Sequence, residues 1–186
     1  MLDVAEEILF TAGPDALTVE AIIAGAQSST GSFYARFENR EGLLLALHHR
    51  FLERTMKEMA PILGIEIPKS TLVEELIILN RHIFGIVERN RKAFFFFVVH
   101  NSFDQQMRED ALPMLAVIRG LLESTIEKYR DEWSRTNSSP DFDYLWLIAY
   151  GVFLNTLLYR EDNLHLPRIE VNEIAEKLAR TICNEL

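Results

Sequence analysis

The stretch TVEAIIAGAQSSTGSFYARFENREGLL, residues 18–44, decides how this chain folds. Val19, Ile22, Ile23 and Ala26 fall at i, i+3, i+4 and i+7, one apolar stripe on a short helix. Thr18 stands just ahead of that stripe, where its hydroxyl can accept an orphan backbone N–H. Gly25 to Ser29 reads as a turn, and Ser29 is placed to cap a third short helix carrying Phe33, Tyr34 and Phe37. Asn39 then caps a long helix from about Glu41 to Ile62. Upstream, Leu2, Ala5, Leu9 and Ala12 stripe a first helix that ends at Gly13-Pro14. Three short helices with a tight turn between the second and third have helix-turn-helix geometry, in which the third helix enters the DNA major groove. Its outward face then offers Thr30, Ser32, Tyr34, Ala35 and Arg36, while Phe33 and Phe37 point inward.

Working outward, Pro61, Gly64 and Pro68 break the chain between about 61 and 69. Thr71 to Glu74 has capping-box spacing, and Leu72, Leu76, Leu79, Ile83 and Ile86 follow on one helical face. Asn90 and Arg91 mark a joint before the aromatic run Phe94 to Phe97. Leu115, Ile118, Leu122, Ile126, Tyr129 and Trp133 stripe a further long helix. Thr136 to Pro140 is a polar loop. Helices at about 141–160 and 170–185 close the chain, with Asp162 to Pro167 between them. The expected architecture is all-α, with about nine helices and no sheet. Residues 1–45 form a helix-turn-helix DNA-binding domain, the helix at 41–62 connects it onward, and residues 46–186 form a helical ligand-binding and dimerisation domain.

Composition narrows the function classes. A chain of 186 residues that is 48% apolar and 25% charged can bury a substantial core. The single Cys183 cannot form an intramolecular disulfide, and no basic-then-apolar leader opens the sequence, so the cytoplasm is expected. The apolar stretch from Tyr144 to Tyr159 is shorter than the roughly 20 residues a membrane span needs and reads as a buried helix. Ser28 to Ser32 is a poor phosphate loop, because no Gly-Lys-Ser/Thr follows and no strand precedes it. His48 and His49 diverge on a helix and make a poor chelate. No paired carboxylates, triad or metal set has catalytic spacing, so neither an enzyme nor a cofactor or metal site is expected.

Residues 18–44 resemble the DNA-binding signature of the TetR family of transcriptional regulators. The matching features are the Thr18-Val19 start, Ile22, Ala26, Ser29, Gly31, the Phe33-Tyr34 pair, Phe37, and the Asn39-Arg40-Glu41 entry to the fourth helix. The resemblance implies that Thr18, Ser29, Tyr34 and Arg40 bind phosphates and that Thr30, Ser32 and Ala35 face bases. Gly31 would allow close approach of the backbone to DNA or to the second helix. Three features depart from the family pattern. Gln27 stands where the turn usually has Gly, Ser28 where an apolar residue is usual, and Thr30 where Lys or Arg is frequent. The basic arm ahead of the first helix is also missing. Residues 1–55 carry Arg36, Arg40, Arg50 and Arg54 against eight carboxylates, a net charge of −4. Phosphate neutralisation supplies much of DNA affinity, so a dimer relying mainly on Arg36 and Arg40 is expected to bind with few ionic contacts.

The helix at 144–159 is apolar nearly all round, with Trp146, Ala149, Tyr150, Phe153 and Leu157 on one face and Leu145, Ile148 and Val152 on another. Such a helix must be covered on every side. Together with Ile174, Leu178 and Ile182 of the last helix, the first set is the expected homodimer interface, a four-helix bundle that is also what the resemblance implies. The other reading is a helix central to the monomer. Phe84, Phe95, Phe96, His100, Phe103, Met107, Met114 and Tyr150 are the expected lining of an apolar effector pocket, although an over-filled core accounts for them equally well. The expected function is a homodimeric repressor released from a palindromic DNA operator by a small apolar or aromatic effector. The alternative is a helical dimer whose degenerate first module acts through protein contacts.

Overall fold

The computed structural model describes residues 1–63, 70–101, 104–133, 140–158 and 170–186. The described residues form helices and turns without strand. They comprise α1 (Leu2–Thr11), α2 (Val19–Gly25), α3 (Thr30–Phe37), α4 (Arg40–Met59), α5 (Leu72–Arg89), α6 (Arg91–Asn101), α7 (Gln105–Lys128), the single turn α8 (Arg130–Trp133), α9 (Phe142–Leu158) and α10 (Val171–Glu185). Short 3-10 turns lie at Pro14–Ala16 and Ala60–Ile62. Setting α8 aside leaves the nine helices expected. The segment 64–69, most of the loop at Thr136–Pro140 and the connection Asp162–Pro167 lie outside the described residues.

Local chemistry sets the helix starts. The Thr18 hydroxyl accepts from Ala21 N at 3.1 Å, and the Ser29 hydroxyl accepts from Ser32 N at 3.1 Å. Asn39 Oδ1 accepts from Gly42 N at 2.7 Å. At α5 the capping box is complete: Thr71 accepts from Glu74 N, and the Glu74 carboxylate accepts from Thr71 N at 2.8 Å. One helix is longer than its stripe suggested. α7 starts ten residues before Leu115 and runs through Pro113. Asp104 caps it by accepting from Met107 N at 2.9 Å, and buried Met107, Ala111 and Met114 carry the apolar stripe back past the proline.

The chain divides into two compact units, and the division falls inside α4, α6 and α7. The first unit comprises Met1–Thr55 with Phe96–Ala111, and the second Met56–Phe95 with Leu112–Leu186. In the first, Ala5, Leu9, Leu17, Ile22, Phe33, Phe37, Leu43, Leu47 and Phe51 are buried. Ion pairs from α4 to α1 accompany this core. Arg50 holds Asp3 at 2.5 Å, and Arg54 is bonded to Glu6. The Arg50 guanidinium keeps the Asp3 carboxyl below its ordinary range.

In the second unit Leu72, Leu76 and Phe84 of α5 form a core with Leu122 and Ile126 of α7, Leu145 of α9, and Ala175, Leu178, Ala179 and Ile182 of α10. The two buried alanines leave room for α10 to lie close on α5, where Asn80 Nδ2 donates to the Ala175 carbonyl at 3.2 Å. Glu75 is tied to α7 by an ion pair with Lys128.

His48 is the anomaly of the first unit. It is fully buried, and neither ring nitrogen has a hydrogen-bond partner among the described residues. Its ring lies 5.1 Å from that of Phe97, which stacks on Phe51 at 5.0 Å. Burial, aided by neighbouring His49 and opposed by Asp110 and Asp104, lowers its pKa to about 4. A histidine depressed from 6.5 contributes stability that is complete above pH 6.5 and is lost as the pH falls toward 4. At pH 5 that loss is about 2 kcal/mol. Thermal melts of wild type and His48→Leu at pH 7 and pH 5 measure it. The variant is expected to lose this part of the acid sensitivity, and identical pH dependence in both proteins would exclude His48 as its source.

Candidate nucleic-acid interface and effector pocket

The surface expected to contact DNA is built on α3. Phe33 and Phe37 are buried with ring centroids 5.3 Å apart, which turns the rest of the helix outward. Thr18, Ser29, Thr30, Gly31, Ser32, Tyr34, Ala35, Arg36 and Arg40, the residues expected to contact DNA, are all exposed. Thr18 and Ser29 use their hydroxyl oxygens as caps, which leaves each O–H as a donor; that of Ser29 lies 2.9 Å from the Ser32 hydroxyl. Of the two roles open to Gly31, close approach to the second helix is empty: a Cβ there would meet only Ser29 Oγ, at 3.9 Å. Gln27 occupies its turn at φ +48°, the left-handed conformation that Gly adopts without penalty.

The junction of α3 with α4 is tightly constrained. Glu38 has φ +62° and ψ −46°, and Asn39 N donates to the Phe37 carbonyl at 2.7 Å across it, a strained γ-turn. A Cβ at Gly42 would collide with that same carbonyl oxygen, so only Gly lets α4 start this close to the end of α3.

Charge at this surface is sparse, as the composition indicated. Arg50 and Arg54 are engaged by α1 carboxylates. Arg36 lies 5.5 Å over the Phe37 ring, and Arg40 donates to the Pro14 carbonyl at 3.3 Å. Neither has a carboxylate partner among the described residues, so both guanidinium groups keep charge available for phosphate.

The second unit contains an apolar cavity with about 520 Å³ of non-atom space, part of it open to solvent. Leu79, Asn80, Ile83 and Phe84 of α5 line it with Leu115, Ile118 and Leu122 of α7, Trp146, Ala149, Tyr150 and Phe153 of α9, and Leu178 of α10. Trp146, Tyr150 and Phe153 form a near-parallel ladder, with centroids 5.4 and 6.0 Å apart. No lining residue is charged. Asn80 is partly used by α10, whereas the Tyr150 hydroxyl has no partner among the described residues, and burial raises its pKa.

Of the expected pocket residues, Phe84 and Tyr150 line this cavity. Phe95 is exposed, Phe96 and Met107 are buried in the first unit, and Met114 is buried in the second. The His100 side chain and Phe103 lie outside the described residues. Leu79, Asn80, Ile83, Leu115, Ile118 and Leu122 were not anticipated as lining. Asn80 was the available signal, a polar residue beside the apolar stripe of α5.

Among the residues expected at a dimer interface, Trp146, Ala149, Tyr150, Phe153 and Leu178 face the cavity, and Ile182 is fully buried in the core of its own chain. Ile174 packs against that core, and the Leu157 side chain lies outside the described residues. The outward side of α9 is different: Tyr144 and Leu147 are exposed, Leu147 by 66%. The outward side of α10 carries the pairs Glu173–Lys177 and Glu176–Arg180. No helix among the described residues is long and apolar enough to cross a membrane.

Residues 1–47 match the profile of the bacterial regulatory proteins of the tetR family. No curated protein sequence matches the chain. Solved structures share its fold. A Clostridium perfringens protein, provisionally named a fatty acid metabolism regulator, matches with TM-score 0.68 and 17% identity, over 100% of this chain and 97% of its own. The transcriptional regulator FadR from Bacillus subtilis, in complex with stearoyl-CoA, matches with TM-score 0.66 and 16% identity over the same shares. A TetR-like transcriptional regulator from Rhodococcus sp. RHA1 matches with TM-score 0.61 and 21% identity, over 98% and 91%. Residues 1–47 are thus a TetR-family N-terminal domain, and the chain shares its fold with these regulators.

Tyr34→Ala and Arg40→Ala are expected to weaken binding to a duplex selected by the protein from random sequence by about tenfold each, with melting temperatures near that of wild type. For the expected homodimer, two arginines per protomer give about four ionic contacts, so log K should fall by only about 4 per decade of salt. Anisotropy titrations across a salt series measure both effects. A slope twice as steep would place further cations at the interface.

Proposed function

We propose that this regulator is a homodimeric repressor whose α3 helices bind a palindromic operator, and that a long acyl chain entering the cavity of the second unit releases it. The observation that carries this reading is the lining: aliphatic and aromatic side chains with no charge, and Tyr150 and Asn80 as polar anchors. The uncharged lining suits a methylene chain whose polar head lies elsewhere, and the fold is shared with a FadR that binds stearoyl-CoA.

Homodimerisation is proposed through the outward face of α9, where Tyr144 and Leu147 are exposed. Two-fold symmetry then matches a palindromic site. An effector lowers DNA affinity only if it binds the non-binding arrangement of the dimer more tightly. A preference of about a hundredfold, near 2.7 kcal/mol, is a typical upper value for such coupling.

The second reading, a helical dimer acting through protein contacts, draws on the net −4 charge of the first 55 residues. Stearoyl-CoA is expected to lower the affinity of the wild-type protein for its selected duplex by about tenfold or more. Ala149→Trp, which fills the cavity, should keep duplex binding and lose the response. No selective duplex at low salt favours the protein-contact reading; a selective duplex that stearoyl-CoA leaves bound removes the acyl-chain effector.

A further inference from the structure

Asn80 is a polar residue placed where packing asks for an apolar one. It stands on α5 among Leu76, Leu79, Ile83 and Phe84, is only 7% exposed, and lines the cavity. Its Nδ2 donates to the Ala175 carbonyl at 3.2 Å. That bond fixes which way the amide faces, since only the nitrogen can pair with a carbonyl. Yet Ala175 lies inside α10, where its carbonyl already has the N–H four residues on as a donor. α10 does not need the bond, and a leucine at position 80 would continue the apolar stripe with no polar atom to satisfy.

The other half of the amide, Oδ1, accepts no hydrogen bond among the described residues. The Tyr150 hydroxyl of α9 also has no partner among them, and burial raises its pKa, so it keeps its proton at neutral pH. Among the described residues, the polar side-chain atoms sealed off without a partner are the His48 ring nitrogens. Asn80 Oδ1 and the Tyr150 hydroxyl are therefore reachable, and the cavity is the space that both residues line. Tyr150 and the Trp146 indole can each donate, whereas Asn80 Oδ1 can only accept.

This unmet acceptor discriminates among ligands. A bare methylene chain would cover Oδ1 and offer it nothing, and an acceptor buried without a partner is costly. A carboxylate has no hydrogen to give and would meet no cation in the lining. A ketone or ester can accept from Tyr150 but leaves Oδ1 unpaired. A hydroxyl donates and accepts through one atom. We infer that the cavity is a site for an apolar molecule carrying an uncharged hydroxyl, with Asn80 Oδ1 accepting its O–H and Tyr150 donating to its oxygen. An acyl-chain effector is then a hydroxylated one. The inference rests on the effector reading above for the acyl chain, not for the hydroxyl.

Decan-2-ol and decan-2-one share the same heavy atoms, and only the alcohol has a hydrogen to donate. Calorimetric titration of the wild-type protein is expected to show the alcohol binding at least about tenfold more tightly. Asn80→Leu should bring the two affinities within about twofold of each other. Tyr150→Phe removes a hydroxyl without a partner, so it should melt no lower than wild type and weaken both ligands alike. Equal affinity of wild type for alcohol and ketone, or no binding of the alcohol, would overturn the inference. An alcohol preference that survives Asn80→Leu would do the same. Should Asn80→Leu fail to fold, the wild-type comparison still decides. If the alcohol outbinds the ketone while stearoyl-CoA does not bind, the acyl-chain reading fails and the hydroxyl site stands.

Discussion

The Phe37 carbonyl, wedged between the Asn39 N–H and the bare Cα of Gly42, is the constraint on which the helix-turn-helix of the first unit depends. It closes the strained turn at Glu38, ends α3 and aligns the start of α4. Because Phe33 and Phe37 anchor the inner face of α3, this single junction fixes which residues α3 presents to solvent. A side chain at position 42 would force α4 away, and the exposed row from Thr30 to Arg36 would turn with it. The strain at Glu38 persists because the buried phenylalanines and the Asn39 cap over-determine the geometry.

Features governed by local hydrogen bonding were legible in the sequence. Thr18, Ser29, Asn39 and Thr71 all cap the helices expected of them, since a cap depends on residues three positions away. The inward and outward faces of α3 followed from two aromatic residues spaced by one helical turn. Pro113 concealed the first ten residues of α7, because a proline usually ends a helix and only tertiary burial of Met107, Ala111 and Met114 carries the helix through it.

The cavity was harder to find for a different reason. α9 is apolar on all sides, so periodicity cannot say which face meets α5 and α7 and which is left outward. Phe95 and Phe96 are the expected lining from the run Phe94 to Phe97, yet the run's members go separate ways: Phe97 packs on His48 and Phe51, Phe94 meets Phe153 edge-on at 6.1 Å, Phe96 is buried and Phe95 is exposed. The lining instead uses ordinary aliphatic residues of α5 and α7, whose role follows only from how four helices meet. His48 gave no warning either, since a histidine on a helix reads as polar until its neighbours are known.

The account makes DNA binding and cavity occupancy two ends of one equilibrium, and such coupling is reciprocal. Calorimetric titration of stearoyl-CoA into the free protein and into its complex with the selected duplex tests this most directly. The predicted result is weaker stearoyl-CoA binding to the complex, by the same factor that stearoyl-CoA weakens the duplex. Equal affinity for the free and DNA-bound protein would contradict the account.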